Sequence, residues 1–238
     1  MTKHVKVTFL LGFIFLPFYL FLPLTANPGT EVTSFKLSNG LQVILSPQEN
    51  IEATCVLLYH VTGVRDDPPE IRGASYLYQN LMLQGTQNFD AFDRMLALKR
   101  NGGLSNQIID YDYSMFYQVI PEYELDNALW LESERISSLQ LNSRNINIEK
   151  NNVYTRNYRT IHSDVRVRAL NWVKSKLFEG SIYATPIYGD LEKIQGFNPE
   201  SIQKLYDNFR NLSNIIMVIA GKFDDTALRK SLDNHFGQ

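Results

Sequence analysis

The dipeptide Asn39-Gly40 lies between Phe35 and Leu37 on one side and Leu41, Val43 and Leu45 on the other, apolar residues at every second position of each arm. Alternation around Asn-Gly is the strongest short-range signal for an antiparallel hairpin. It predicts two short strands within Thr33–Pro47 joined by a two-residue turn. Ala53–Val61 (ATCVLLYHV) reads as a third strand, apolar enough to lie inside a sheet, and Asn214–Gly221 (NIIMVIAG) as a buried one. Tyr111–Pro121, aromatic and β-branched, is a further strand.

Between and after these strands the pattern changes to helical spacing. Gly63–Gly73, with Asp66, Asp67, Pro68 and Pro69, reads as a loop, and Ala74–Leu83 as a helix with Leu77 and Leu81 on one face. A second helix, about Asn88 to Arg100, stops at Asn101-Gly102-Gly103. Glu122–Ser138, Asn147–Ile161, Ala169–Leu177, Pro199–Phe209 and Thr226–Phe236 complete the helices, with a loop at Gly180–Gly189. The two kinds of element are interspersed without the strict alternation of a parallel fold. The expected class is therefore α+β: a two-layer, mostly antiparallel sheet covered by helices.

The N-terminus stands apart. Lys3, His4 and Lys6 precede an almost unbroken apolar run, Val7–Leu24, which ends at Thr25-Ala26-Asn27. A basic start, an apolar middle and a small residue before a polar stretch describe a secretory leader over residues 1–26, leaving residues 27–238 as a single domain. Pro17 and Pro23 disfavour a continuous spanning helix, so contact with a membrane is expected only through an uncleaved leader. The 238-residue chain has a formal charge of −2, and removing the leader takes away two lysines and no acid, so no nucleic-acid surface is indicated. Lone Cys55 has no internal disulfide partner and reads as a small apolar residue.

Several stretches in one colinear order, roughly residues 33 to 238, resemble the pitrilysin/insulinase family of zinc peptidases, which includes the mitochondrial processing peptidase. Leu37–Val43 (LSNGLQV) is similar to its opening strand, Gly73–Thr86 (GASYLYQNLMLQGT) to the helix that bears H-x-x-E-H, and Gly102–Asn106 (GGLSN) to its Gly-Gly-x-x-Asn turn. Asp112–Leu139 resembles the strand and helix that follow in exported bacterial members. Tyr183–Gly189 (YATPIYG) resembles the Tyr-x-x-Pro-x-x-Gly segment, and Met217–Gly237 the closing strand and helix. The resemblance implies a unit that forms a quarter of a hollow, two-halved chamber. With the leader, it also implies export, most simply to a bacterial periplasm.

The same resemblance locates a departure. An inverted zinc site needs two histidines at i and i+4, an intervening glutamate as general base and a downstream carboxylate. The motif positions are occupied by Tyr76, Gln79 and Asn80. The best frame, through Val153, puts the downstream ligand at Arg156, with Thr155 or Asn157 if it slips by one; none is a carboxylate. Glu149 matches an acidic position upstream of that ligand. A phenol with a pKa of about 10 stays protonated at neutral pH, carboxamides are weak zinc donors and a guanidinium does not ligate. Gln79 has no basic site to take a proton from water.

No catalytic or metal-binding residue is therefore expected, and no cofactor. The four histidines, His4, His60, His162 and His235, show no ligand spacing, and Asp110 and Asp112 read as a solvated turn. Two readings of the degenerate positions stand together: surface or half-buried helix residues without a role, or a replacement in which Arg156 bonds the phenol and carboxamide oxygens and ties the helices where a metal would. The functional expectation is a catalytically inactive homologue, a subunit or peptide-binding partner of an active family member. The alternatives are an active zinc endopeptidase with unusual ligands, or a truncated remnant without its own role.

Overall fold

A computed structural model describes residues 31–237, so the leader lies outside the described residues. The strands are β1 (Thr33–Lys36), β2 (Gln42–Pro47), β3 (Ala53–His60), β4 (Leu104–Ile109), β5 (Ser114–Pro121) and β6 (Ile215–Gly221). The helices are α1 (Ala74–Leu81), α2 (Ala91–Arg100), α3 (Leu125–Ser137), α4 (Ser143–Ser163), α5 (Val165–Leu177), α6 (Leu191–Gln195), α7 (Pro199–Phe209) and α8 (Asp225–Phe236). All six strands form one sheet in the order β1-β2-β6-β3-β5-β4. Every neighbouring pair is antiparallel except β2 with β6. The expected α+β class is what forms.

The hairpin differs in detail from expectation. Leu37 N–H bonds to Leu41 carbonyl at 2.9 Å and Gly40 N–H to Leu37 carbonyl at 3.0 Å, so the loop is three residues, Ser38–Gly40. Gly40 takes φ +96°, the left-handed position that such a loop needs after its turn. Leu104–Asn106, read as part of a turn, opens the edge strand β4, Leu104–Ile109. Tyr111–Tyr113 belongs to the β4–β5 connection, so β5 starts three residues later than expected. Helix α5 begins earlier, at Val165, because Asp164 caps it by accepting from Arg166 N–H at 2.9 Å.

Burial alternates along the inner strands. Thr54, Val56, Leu58 and His60 of β3, and Met217 and Ile219 of β6, face the helices, whereas their neighbours in sequence face the other way. Two apolar clusters fill the helical side. One joins β2, β3 and β6 to α3 and α8; the other joins α1 to α4, α6 and α7 through Leu77, Leu81, Ile146, Val153 and Ile202.

His60 is wholly buried, edge-on to Phe116 with centroids 5.6 Å apart, and burial pulls its pKa down to about 4 from 6.5. As pH falls below 6.5 the unfolded chain takes up a proton that the folded chain refuses until about 4. Stability is thus full above this window and is lost through it, by about 3 kcal/mol. Asp67 works in the opposite sense, because burial raises its carboxyl to about 6 and the folded state holds that proton first. The histidine is therefore read from the difference between wild type and His60→Leu in urea titrations at pH 7 and pH 5. Equal pH slopes for the two proteins would refute its role.

Candidate functional site

Helix α1 is positioned by contacts that are remote in sequence. Its first N–H groups have no local side-chain cap; Asp67 supplies one, accepting from Gly73 N–H at 2.7 Å, Ser75 N–H at 3.0 Å and the Ser75 hydroxyl. The carboxylate thus satisfies donors at the positive end of the helix. Gly73, at φ +95°, and Gly189, at φ +70°, bring two backbones together: a Cβ on Gly73 would lie 2.5 Å from Tyr188 carbonyl oxygen, and one on Gly189 would lie 2.2 Å from that of Arg72. Two motifs more than a hundred residues apart are in this way pressed into one structure, and only glycine fits either place.

Tyr76 and Asn80 share the face of α1 turned toward Arg156 of α4, as spacing at i and i+4 allows. Asn80 donates its amide back to Tyr76 carbonyl at 2.7 Å, which turns its oxygen outward. Arg156 Nη2 donates to that oxygen at 3.0 Å and makes a longer contact, 3.4 Å, with the Tyr76 hydroxyl. Its guanidinium carbon stands 6.0 Å from the centre of the Tyr76 ring. Gln107 of β4 approaches Asn80 Oδ1 at 3.4 Å. Gln79 lies apart from this set: it is fully buried, and neither amide atom has a hydrogen-bond partner among the described residues. Thr155 is exposed, and Asn157 turns its amide to Val153 carbonyl within α4, so Arg156 is the residue of the three that meets α1.

Glu149, two turns before Arg156, is buried. Its carboxylate accepts from Gln84 at 2.6 Å and Asn152 at 3.1 Å. Burial pushes its pKa up, and Asn152, Arg156 and Gln84 hold it back. Together these groups line an open cleft of about 620 Å³ between α1, β4 and α4. Gln84 and Gln107 escaped the sequence reading, since an amide just past a helix and one on an edge strand carry no periodic signal.

The donor set does not fit zinc. The helix presents a phenol and one carboxamide, Gln79 being buried apart from them, and the facing Arg156 puts a permanent cation on the Asn80 oxygen. Among the described residues Glu149 is the one carboxylate lining the cleft, and its oxygen is engaged by two amides. Among the same residues, no group of three or more His, Cys, Asp or Glu side chains is arranged to hold a metal. Asp110 and Asp112 lie in the β4–β5 turn; Asp112 accepts from Arg65 at 3.0 Å and Tyr183 at 2.6 Å, a structural tie.

An antiparallel-dominated sheet covered by helices, with a cleft between α1, β4 and α4, defines the class of fold: an α+β unit. The profile for insulinase, peptidase family M16, matches residues 42–190, and the chain belongs to that family. It is 26% identical over 242 residues to the zinc protease PqqE of Helicobacter pylori, covering 98% of this chain and 53% of the relative. It is 22% identical over 207 residues to the uncharacterized zinc protease YmxG of Bacillus subtilis, covering 87% and 50%. The crystal structure of a protease from Helicobacter pylori superposes with a TM-score of 0.81 at 24% identity, over 88% of this chain and 50% of that one. The periplasmic protease PqqL from Escherichia coli gives 0.78 at 16%, over 87% and 24%. The chain thus spans about half the length of these curated relatives.

Proposed function

We propose that this chain is a non-catalytic member of the insulinase family that acts by binding: a subunit beside a family member with an intact H-x-x-E-H helix, able to hold extended peptide. The observation that carries this reading is the Arg156–Asn80 bond across the two helices that would share a metal. A guanidinium there bonds α4 to α1 with no metal, and Gln79 offers no base. Peptide holding is supported by β4, an edge strand whose Leu104, Ser105 and Asn106 are exposed beside the cleft, which suits β-strand addition. Export to a periplasm is supported by the leader and by the periplasmic description of PqqL.

The test combines zinc content by elemental analysis, cleavage of an unstructured peptide, and co-purification with an intact family member from the same genome. Less than stoichiometric zinc, no cleavage and a stable complex are expected; bound zinc with turnover would refute the reading. A thermal series isolates the tie. Arg156→Ala is expected to lower stability by about 0.5–1.5 kcal/mol, the worth of one exposed charge-assisted bond, and chelator is expected to leave both proteins unchanged. A large chelator effect on wild type would mean that metal makes the link.

A further inference from the structure

The cleft whose residues suit no cation offers an anion two guanidiniums. Arg156 and Arg159 stand one turn apart on its α4 wall, and both are exposed. Arg156 is held in place, with Nη2 on Asn80 Oδ1 at 3.0 Å and on the Tyr76 hydroxyl at 3.4 Å. Its Nε and Nη1 donate to no atom of the described residues, so one edge of the fork stays open. Arg159 has neither a hydrogen bond nor an ion pair among the same residues.

The charges around the cleft do not balance. Its lining has one acid, Glu149, whose Oε2 already accepts from Gln84 and Asn152. Two guanidiniums against one carboxylate leave an excess of one positive charge. The excess continues along the surface: residues 143–177, which include α4 and α5, hold eight Lys and Arg against two Asp and Glu, although the chain as a whole carries −2. A surface of this kind draws anions toward it over about a Debye length, about 10 Å at 0.1 M salt.

We propose that the cleft is a carboxylate receptor, in which Arg156 and Arg159 together hold one carboxylate of an extended peptide, supplied by its C-terminus or by an Asp or Glu side chain. A carboxylate has about four acceptor sites and is planar, which suits the open edge of one guanidinium and a second beside it. Its single charge cancels the excess, whereas a phosphate of about −1.5 to −2 would overshoot it. Asn80 and Tyr76 already order Arg156, so less side-chain freedom is lost on binding. The cleft, about 620 Å³, is larger than a carboxylate needs and leaves room for the residues next to it. The inference rests on the peptide-holding reading and adds to it the chemistry of the peptide.

Fluorescence anisotropy of N-terminally labelled, unstructured peptides of about ten residues, titrated with the purified full chain, tests it. One peptide is neutral with a free C-terminus, one is amidated and carries a glutamate, and one is neutral and amidated. At least one carboxylate peptide is expected to bind about tenfold more tightly than the third, as charge-assisted bonds allow, and less so at raised salt. Preference for the first assigns the chain terminus, and preference for the second a side chain. Arg159→Gln removes an exposed side chain with no partner in the fold and should cut the preference to about threefold or less. Adding Arg156→Gln should abolish it; thermal unfolding checks that both variants fold, and Arg159→Gln alone decides if the double variant does not. Equal binding of all three peptides, or a preference indifferent to Arg159→Gln, would overturn the inference and leave peptide holding intact. Inorganic phosphate displacing the label better than acetate at equal ionic strength would overturn the carboxylate assignment. Binding of none of the three would refute peptide holding as well, whereas zinc content and turnover of the same sample judge the non-catalytic reading on their own.

Discussion

Replacing Tyr76, Gln79, Asn80 and Arg156 together by His, Glu, His and Glu is expected to turn the α1–α4 cleft into a zinc site. Affinity should rise about 10³-fold or more over wild type, since structural zinc sites gain about 10–16 kcal/mol on metal binding. The scaffold is in place: residues 76 and 80 share one face of α1, and position 156 already reaches that face at 3.0 Å. Buried Glu149 lies two turns earlier on α4. Without metal the variant should be less stable than wild type by several kcal/mol, because the carboxylates introduced at positions 79 and 156 would join Glu149 with no cation among them. Zinc should reverse this, adding about 4 kcal/mol at a thousandfold excess over Kd. Calorimetric titration with zinc and thermal unfolding with and without it measure both effects. Tight zinc binding by wild type, equal to that of the variant, would show that the native residues already ligate, and the proposed function would fail with it. The double change Tyr76→His and Asn80→His, with Arg156 retained, should bind far more weakly, which tests whether the guanidinium itself keeps the metal out.

Arg135→Ala is expected to cost about 3–5 kcal/mol of folding stability, the typical cost of removing one partner of a buried ion pair. Arg135 and Glu132 lie one turn apart on α3, 3% and 1% exposed, with Nη2 to Oε1 at 3.2 Å. Gln118 of β5 donates to the same carboxylate oxygen at 2.9 Å, and the Arg135 guanidinium stands 4.8 Å above the centre of the Phe116 ring. Truncating the arginine removes one charged partner of Glu132 and the cation–π contact together. Replacing both partners by apolar residues, Glu132→Leu with Arg135→Met, should recover most of the loss, because it removes the desolvation cost as well as the bond. Urea midpoints for the two proteins decide it. A loss below about 1 kcal/mol for Arg135→Ala would mean that the pair is hydrated and the core more open than its burial indicates.

The elements legible in the sequence are those with a local cause. Asn39-Gly40 marks the first hairpin; Leu77 and Leu81 mark α1; the apolar run through Ile215–Gly221 marks β6. Strand β4 (LSNQII) escapes such reading because an edge strand pairs on one side only and has no obligatory alternation. Helix α6, five residues capped by Asp190, is too short to show a period. At the site, spacing at i, i+3 and i+4 places Tyr76, Gln79 and Asn80 on one face, but does not say which of them Arg156 meets. Asn80 and Tyr76 take it, while Gln79 sinks into the core.

Amino-acid order alone determined the class of fold, since periodicity is a property of short segments, and its resemblance to the insulinase family marked α1 as the helix whose motif positions hold Tyr76, Gln79 and Asn80. Tertiary structure alone decided two things: that β6 inserts parallel to β2 and antiparallel to β3 between them, and that Gly73 meets Gly189. Each of these depends on which distant surfaces cover one another. That choice is made by burial summed over the whole chain, and no window of neighbouring residues contains it.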